Sequence, residues 1–148
     1  MTRLRFRNVE ASPTDPVETW PFEGVLAAVE RGTLTDWRRM IEAVRNDPWG
    51  GVARDLEQAF EVGRPYGTAP LLERALERAR EARLCDERAQ VARRVRAAIE
   101  ASGLDRTTFA ERIGTSASRL STYATGRVAP SSTMLVRIER LAADLGAR

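Results

Sequence analysis

The chain has no histidine, no lysine and a single cysteine, Cys85, among its 148 residues. Each absence excludes a class of chemistry. Without imidazole and with one thiol there is no disulfide framework and no thiolate or imidazole zinc site within one chain. Ser–His and Cys–His nucleophilic catalysis are excluded as well. Cys85 is read as a filler on a helix rather than a reactive thiol. No apolar run approaches the ~18 residues of a membrane span. Met1-Thr2-Arg3-Leu4-Arg5 lacks the apolar core of a secretory signal, so a cytoplasmic protein away from membranes is expected. Glycine loops that cradle phosphates are missing too, because Gly50-Gly51 has neither the Gly-Lys-Ser/Thr nor the Gly-x-Gly-x-x-Gly continuation. Carboxylate pairs such as Asp86-Glu87 lie on a charged helical face. No catalytic residue, cofactor or metal is therefore expected, and the chain does not read as an enzyme.

What is present is arginine. All 24 basic residues are Arg, spread along the whole chain, which reads as the composition of a GC-rich genome rather than as a binding signal. The distribution of net charge is more informative. Residues 1–85 carry 13 Arg against 14 acidic residues, net −1, and residues 86–148 carry 11 against 7, net +4. The basic excess lies in the C-terminal half, as the footprint of a nucleic-acid partner should.

The periodicity is helical nearly throughout, and an all-α fold is expected. Residues 1–20, with Ser12-Pro13-Thr14-Asp15-Pro16, read as a flexible or extended arm in which Leu4, Phe6 and Asn8-Val9 can form a short extended piece. Residues 21–85 read as a helical domain for dimerisation or partner binding. Its helices carry Phe22, Val25, Leu26 and Val29; then Trp37, Met40, Ile41 and Val44 after a Thr33 or Thr35 cap; then Val52, Leu56, Ala59, Phe60 and Val62. Trp20, Trp37 and Trp49 are expected to knit this small core. From Thr68 a long pattern with Leu71, Leu72, Ala75, Leu76, Ala79 and Leu84 merges into Val91, Val95, Ala98 and Ile99 without Gly or Pro. It is either one continuous helix or a helix kinked near Asp86-Glu87-Arg88, where the register drifts. Its apolar side is core packing, a dimer seam or a partner-binding rod.

Residues 86–148 hold the strongest signal. Gly103 is a left-handed cap and Asp105 an N-cap, Phe109 and Ile113 point inward, and Ala110 sits where a second helix must cross closely. Gly114 permits the positive φ that ends a helix within one residue. Ser116 caps the next helix, and Leu120 and Tyr123, spaced i, i+3, anchor it, which directs Ala117, Ser118, Ser121 and Thr122 outward. Gly126 ends that helix, Arg127 lies in the following loop, and Pro130-Ser131 starts another with Leu135, Ile138, Leu141 and Leu145 inward.

The set F-A-x-x-I-G-x-S-x-x-x-L-x-x-Y-x-x-G-x-x-x-P-S, from Phe109 to Ser131, resembles the Xre (phage-repressor, Cro-like) helix-turn-helix family over roughly Ala89 to Gly146. The resemblance implies a five-helix domain whose third helix, about Ser116 to Tyr123, enters the major groove of double-stranded DNA. It places Ala117, Ser118 and Thr122 at base edges and Arg106, with Thr107 beside it, at a phosphate. Arg119 and Ser121 are implied neighbours in the interface, with Ser116 and Arg127 at its two ends. Helix N-termini at Asp105 and Ser116 would add backbone N–H contacts. Two departures stand out. The family often buries an arginine of the first helix against a glutamate after the third, where this chain has Ile99 and Ala124, an exchange that leaves no orphan charge. The reading face is also short, so direct readout is expected to be sparse, with Arg119 the one long reader.

The N-terminal region, through Trp37-Arg38-Arg39, Asp47-Pro48-Trp49-Gly50 and Arg64-Pro65-Tyr66-Gly67, resembles a helical region found ahead of such domains in actinobacterial regulators. Two functions follow as expectations. One is a repressor-like transcriptional regulator, a homodimer reading a short inverted repeat. The other is an antitoxin that grips a partner toxin through residues 1–85 and autoregulates its operon.

Overall fold

The computed structural model describes residues 3–147, and its regular structure is helical, with no strand among those residues. A 3-10 turn at Val17–Thr19 precedes seven α-helices: α1 Phe22–Arg31, α2 Leu34–Asn46, α3 Gly51–Val62, α4 Thr68–Ser102, α5 Arg106–Ile113, α6 Ala117–Thr125 and α7 Ser132–Gly146. The chain divides into two compact units, Met1–Arg83 and Leu84–Arg148. Helix α4 contributes to both, and Asp86-Glu87-Arg88 is helical like its neighbours. No helix among the described residues is long and apolar enough to cross a membrane.

In the first unit, Val25, Ala28 and Val29 of α1 meet Met40 and Val44 of α2 and Ala53, Leu56 and Ala59 of α3 in one core. Each large aliphatic side chain buried there is worth about 1.5–3 kcal/mol. Helix α2 starts at the Thr33 cap, where the Asp36 carboxylate accepts from the Thr33 N–H at 2.8 Å and from its hydroxyl at 2.9 Å. The first of these bonds satisfies a backbone donor that a helix start otherwise leaves open. The stripe that α4 presents to this core is Ala69, Leu72, Leu76 and Ala79, while Leu71 and Leu84 are exposed, as is Val62 of α3. The spacing of 3, 4 and 3 residues accounts for the choice, since Leu71 falls a third of a turn off that line. The N-terminal segment packs here as well, through buried Leu4, Val17 and Trp20.

The tryptophans divide. Trp20 is buried and donates from Nε1 to the Asp15 carbonyl, and Trp37 packs against the core and donates to the Ala28 carbonyl at 2.8 Å. Trp49 lies outside the core at 46% exposure, with the Arg80 guanidinium 5.9 Å above its ring. Its position after the Asp47-Pro48 stop, beyond the last turn of α2, takes it off the apolar stripe.

The second unit packs around Val95 and Ala98 of α4, Phe109, Ala110 and Ile113 of α5, Leu120, Tyr123 and Ala124 of α6, and Ile138 and Ala142 of α7. Among the described residues it has four helical segments rather than five, because no Gly or Pro interrupts the run from Ser132 to Leu145 and α7 continues unbroken. Leu135 and Leu141 pack partly against the core; Leu145 is half-buried and outside the cluster.

Candidate nucleic-acid interface

Helix α5 begins at Asp105, whose carboxylate accepts from the Thr108 N–H at 3.0 Å and the Thr108 hydroxyl at 2.7 Å. These bonds hold the carboxyl below its ordinary range, the Thr108 N–H being the larger cause. The helix ends in a complete Schellman turn. Gly114 is left-handed at φ 77° and its N–H donates to the Glu111 carbonyl, while the Thr115 N–H donates to the Ala110 carbonyl at 2.9 Å. Arg137 of α7 adds a donor from Nη1 to the Ile113 carbonyl at 2.9 Å. Gly114, Thr115 and Ser116 alone separate α5 from α6.

Helix α6 opens with Ser116 Oγ accepting from the Arg119 N–H at 3.1 Å. The two caps differ in charge. The α5 start is covered by a carboxylate, which repels phosphate. The α6 start is capped by a neutral hydroxyl, so the N–H groups of Ala117 and Ser118 face outward as in the first turn of any helix. Leu120, Tyr123 and Ala124 point into the core at i, i+3 and i+4. Ser118 and Arg119 are exposed on the other side, and Ser121 and Thr122 are half-exposed. Ala117 is half-buried and packs against the core, because it lies seven residues before Ala124 and shares that face of the helix.

Ser121, Thr122 and Arg127 come together along one open concavity with Thr125 and Gly126. Thr122 Oγ1 donates to the Arg119 carbonyl at 2.6 Å. Arg106 and Thr107 are both exposed in the first turn of α5. Among the described residues, Arg106, Arg119 and Arg127 take part in no ion pair, whereas Arg94 of α4 pairs with Glu139 of α7 at 2.6 Å.

The place of the family's buried ion pair is apolar, as Ile99 and Ala124 imply, and beside it an exposed arginine closes the end of α6. Arg96, three residues before Ile99, donates from Nη1 to the backbone carbonyl of Ala124. Ile99 packs against the core and Ala124 is buried within it. Arg96 and Arg137 thus close the C-termini of α6 and α5 from neighbouring helices. Neither stands out in the sequence, since one arginine among 24 is no signal; only the adjacency of Arg137 to the inward Ile138 marks it.

The helix-turn-helix family model matches residues 95–141, from the α4 turn that enters this core to Leu141 of α7. The C-terminal unit is a helix-turn-helix domain. The matched segment spans the two caps, the Schellman turn and the whole of α6, and it places a DNA-binding module where the resemblance implied. Comparison with curated proteins and with solved structures gave no match.

Proposed function

We propose that this protein is a sequence-selective, repressor-like transcriptional regulator of the cytoplasm that binds double-stranded DNA as a homodimer, with α6 as the recognition helix. The observation that carries the reading is the two-sided character of α6. One side is locked by Leu120, Tyr123 and Ala124, and the other offers Ser118, Arg119, Ser121 and Thr122 to solvent beneath a neutral N-terminal cap.

In this reading the first turn of α6 approaches the DNA backbone with its open N–H groups, and Arg106 and Arg127 supply phosphate contacts on either side. Thr107 and Ser116 flank these contacts. Ala117, Ser118, Ser121 and Thr122 come close to base edges through methyl, hydroxyl and water-mediated contacts. Arg119 is the only side chain on this face long enough for a bidentate contact to guanine, worth about 1–3 kcal/mol of discrimination. Paired recognition helices of a dimer require half-sites about 10 bp, or roughly 34 Å, apart.

The test is a mobility shift on the DNA upstream of the protein's own gene, against unrelated competitor, at two salt concentrations. A selective shift that weakens with salt is expected. Absence of any selective shift at low salt refutes the proposal.

A further inference from the structure

The segment from Arg3 to Arg7 alternates basic and apolar residues, and the fold sorts them. Leu4 is buried and Phe6 half-buried, while Arg3, Arg5 and Arg7 are exposed. Phe6 stands edge-on to Trp20 with ring centroids 5.1 Å apart. It lies so close to α1 that a Cβ on Gly24 would come within 3.0 Å of its ring. Arg31, at the end of α1, donates from Nη2 to the Arg5 carbonyl at 3.0 Å. Asn8 then turns the chain at φ 59°, a left-handed conformation that asparagine tolerates. Two seated side chains and one tied carbonyl therefore hold three arginines in a row, and together with Arg31 they line a concavity.

Four guanidinium groups here take part in no ion pair among the described residues. Elsewhere in the same unit Arg64, Arg74 and Arg80 pair with carboxylates, and Arg39 and Arg83 donate to backbone carbonyls as Arg31 does. Arg38, Arg45, Arg54 and Arg78 also take part in no ion pair among the described residues, so what sets the cluster apart is its grouping along one concavity. The unit as a whole is net −1, with 13 Arg and 14 acidic residues, so the cluster is a local concentration rather than a share of a general excess. Fixed like charges repel one another unless an anion lies among them.

We propose that Arg3, Arg5, Arg7 and Arg31 form a second nucleic-acid contact, which binds phosphates of the DNA backbone without reading sequence. The proposal rests on the DNA-binding reading above and adds to it a surface outside the helix-turn-helix domain. A polyanion is favoured over a free phosphate by magnitude. One exposed guanidinium holds one small anion weakly. A backbone presents several linked phosphates at once, and each contact releases condensed counterions.

The experiment compares the full chain with the triple variant R3A/R5A/R7A, keeping Arg31 because it ties down the Arg5 carbonyl. Fluorescence anisotropy is read with a duplex from upstream of the gene and with an unrelated duplex over a salt series. Circular dichroism is expected to be unchanged, since the three replaced side chains are exposed. Affinity is expected to fall alike on both duplexes, by on the order of tenfold per lost contact at ~0.1 M salt, and the salt slope to flatten by about 0.9 per contact. A variant that keeps the slope and affinity of the wild type overturns the inference while leaving the α6 reading intact. If pyrophosphate raises the melting temperature of the wild type only, and the duplex slopes are equal, the cluster is a small-anion site and the inference is again overturned. A wild type that binds neither duplex overturns both readings.

Discussion

Replacing Gly114 by alanine tests whether backbone handedness, rather than space, fixes the α5–α6 turn. At φ 77° an L side chain is held in the left-handed region, at a cost of about 1–2 kcal/mol. Crowding adds little, because the new Cβ would meet only Arg137 Nη1 at 3.6 Å, an ordinary contact. The loss of unfolded-chain freedom on going from Gly to Ala returns roughly 0.4–1 kcal/mol. A net destabilisation of about 1 kcal/mol remains, equivalent to a fall of about 4–8 °C in the melting temperature of a domain this small. Gly114→Asn should cost less, since asparagine visits this region more readily than alanine. The distribution of aromatics supplies an internal control. All three tryptophans, Trp20, Trp37 and Trp49, belong to the first unit, so their fluorescence follows that unit alone, whereas far-ultraviolet circular dichroism follows both. Gly114→Ala should lower the dichroism transition of the second unit and leave the tryptophan transition in place. An alanine variant as stable as wild type, or an asparagine variant as damaged as the alanine one, would refute the argument from handedness.

Three further outcomes follow from the same geometry. Arg106→Ala and Arg127→Ala should weaken binding to all duplexes alike and flatten the salt slope by about one each, whereas Arg119→Ala should change sequence preference by about 1–3 kcal/mol; competition shifts on a set of single-base operator variants separate the two. Ser116→Ala removes the acceptor for the Arg119 N–H and should cost about 1 kcal/mol in denaturant unfolding, with the loss confined to the dichroism signal of the second unit. Asp105, held below its usual range chiefly by the Thr108 N–H, stabilises the fold above the unfolded carboxyl value and loses that contribution as pH falls through the folded one. Melting curves taken downward from about pH 5 should therefore show a smaller acid loss in Asp105→Asn than in wild type, and parallel curves would contradict the cap's role.

Much of the second unit was legible because its determinants are local. Phe109 and Ile113 are one helical turn apart, Gly114 must be left-handed to end α5, and Asp105, Ser116 and Ser131 each cap the helix that follows. Such features depend on neighbours in sequence. What depended on distant partners was not legible. The Arg96 and Arg137 bonds to the last carbonyls of other helices join residues 28 and 24 positions apart. Apart from the inward Ile138 next to Arg137, nothing in their immediate surroundings distinguishes them from other exposed arginines. Counting from Leu120 and Tyr123 directs Ala117 outward, yet its spacing from Ala124 puts it at the edge of the core. The packing of Leu4 and Phe6 was equally hidden, because it rests on Trp20 and on the space left by Gly24.

In the proposed complex, the bond from Thr122 Oγ1 to the Arg119 carbonyl limits what this side chain can offer a base. A hydroxyl ordinarily offers both a proton and lone pairs to a base, but here the proton is turned into the helix's own backbone. Toward a groove, Thr122 is left with lone pairs and a methyl group. The amino groups of adenine and cytosine can satisfy it and the methyl of thymine can pack on it, whereas the two acceptors that guanine shows in the major groove find no donor there. In the proposed complex the helix thereby acts at this position as a one-way filter of hydrogen-bond polarity, disfavouring a base it never has to touch.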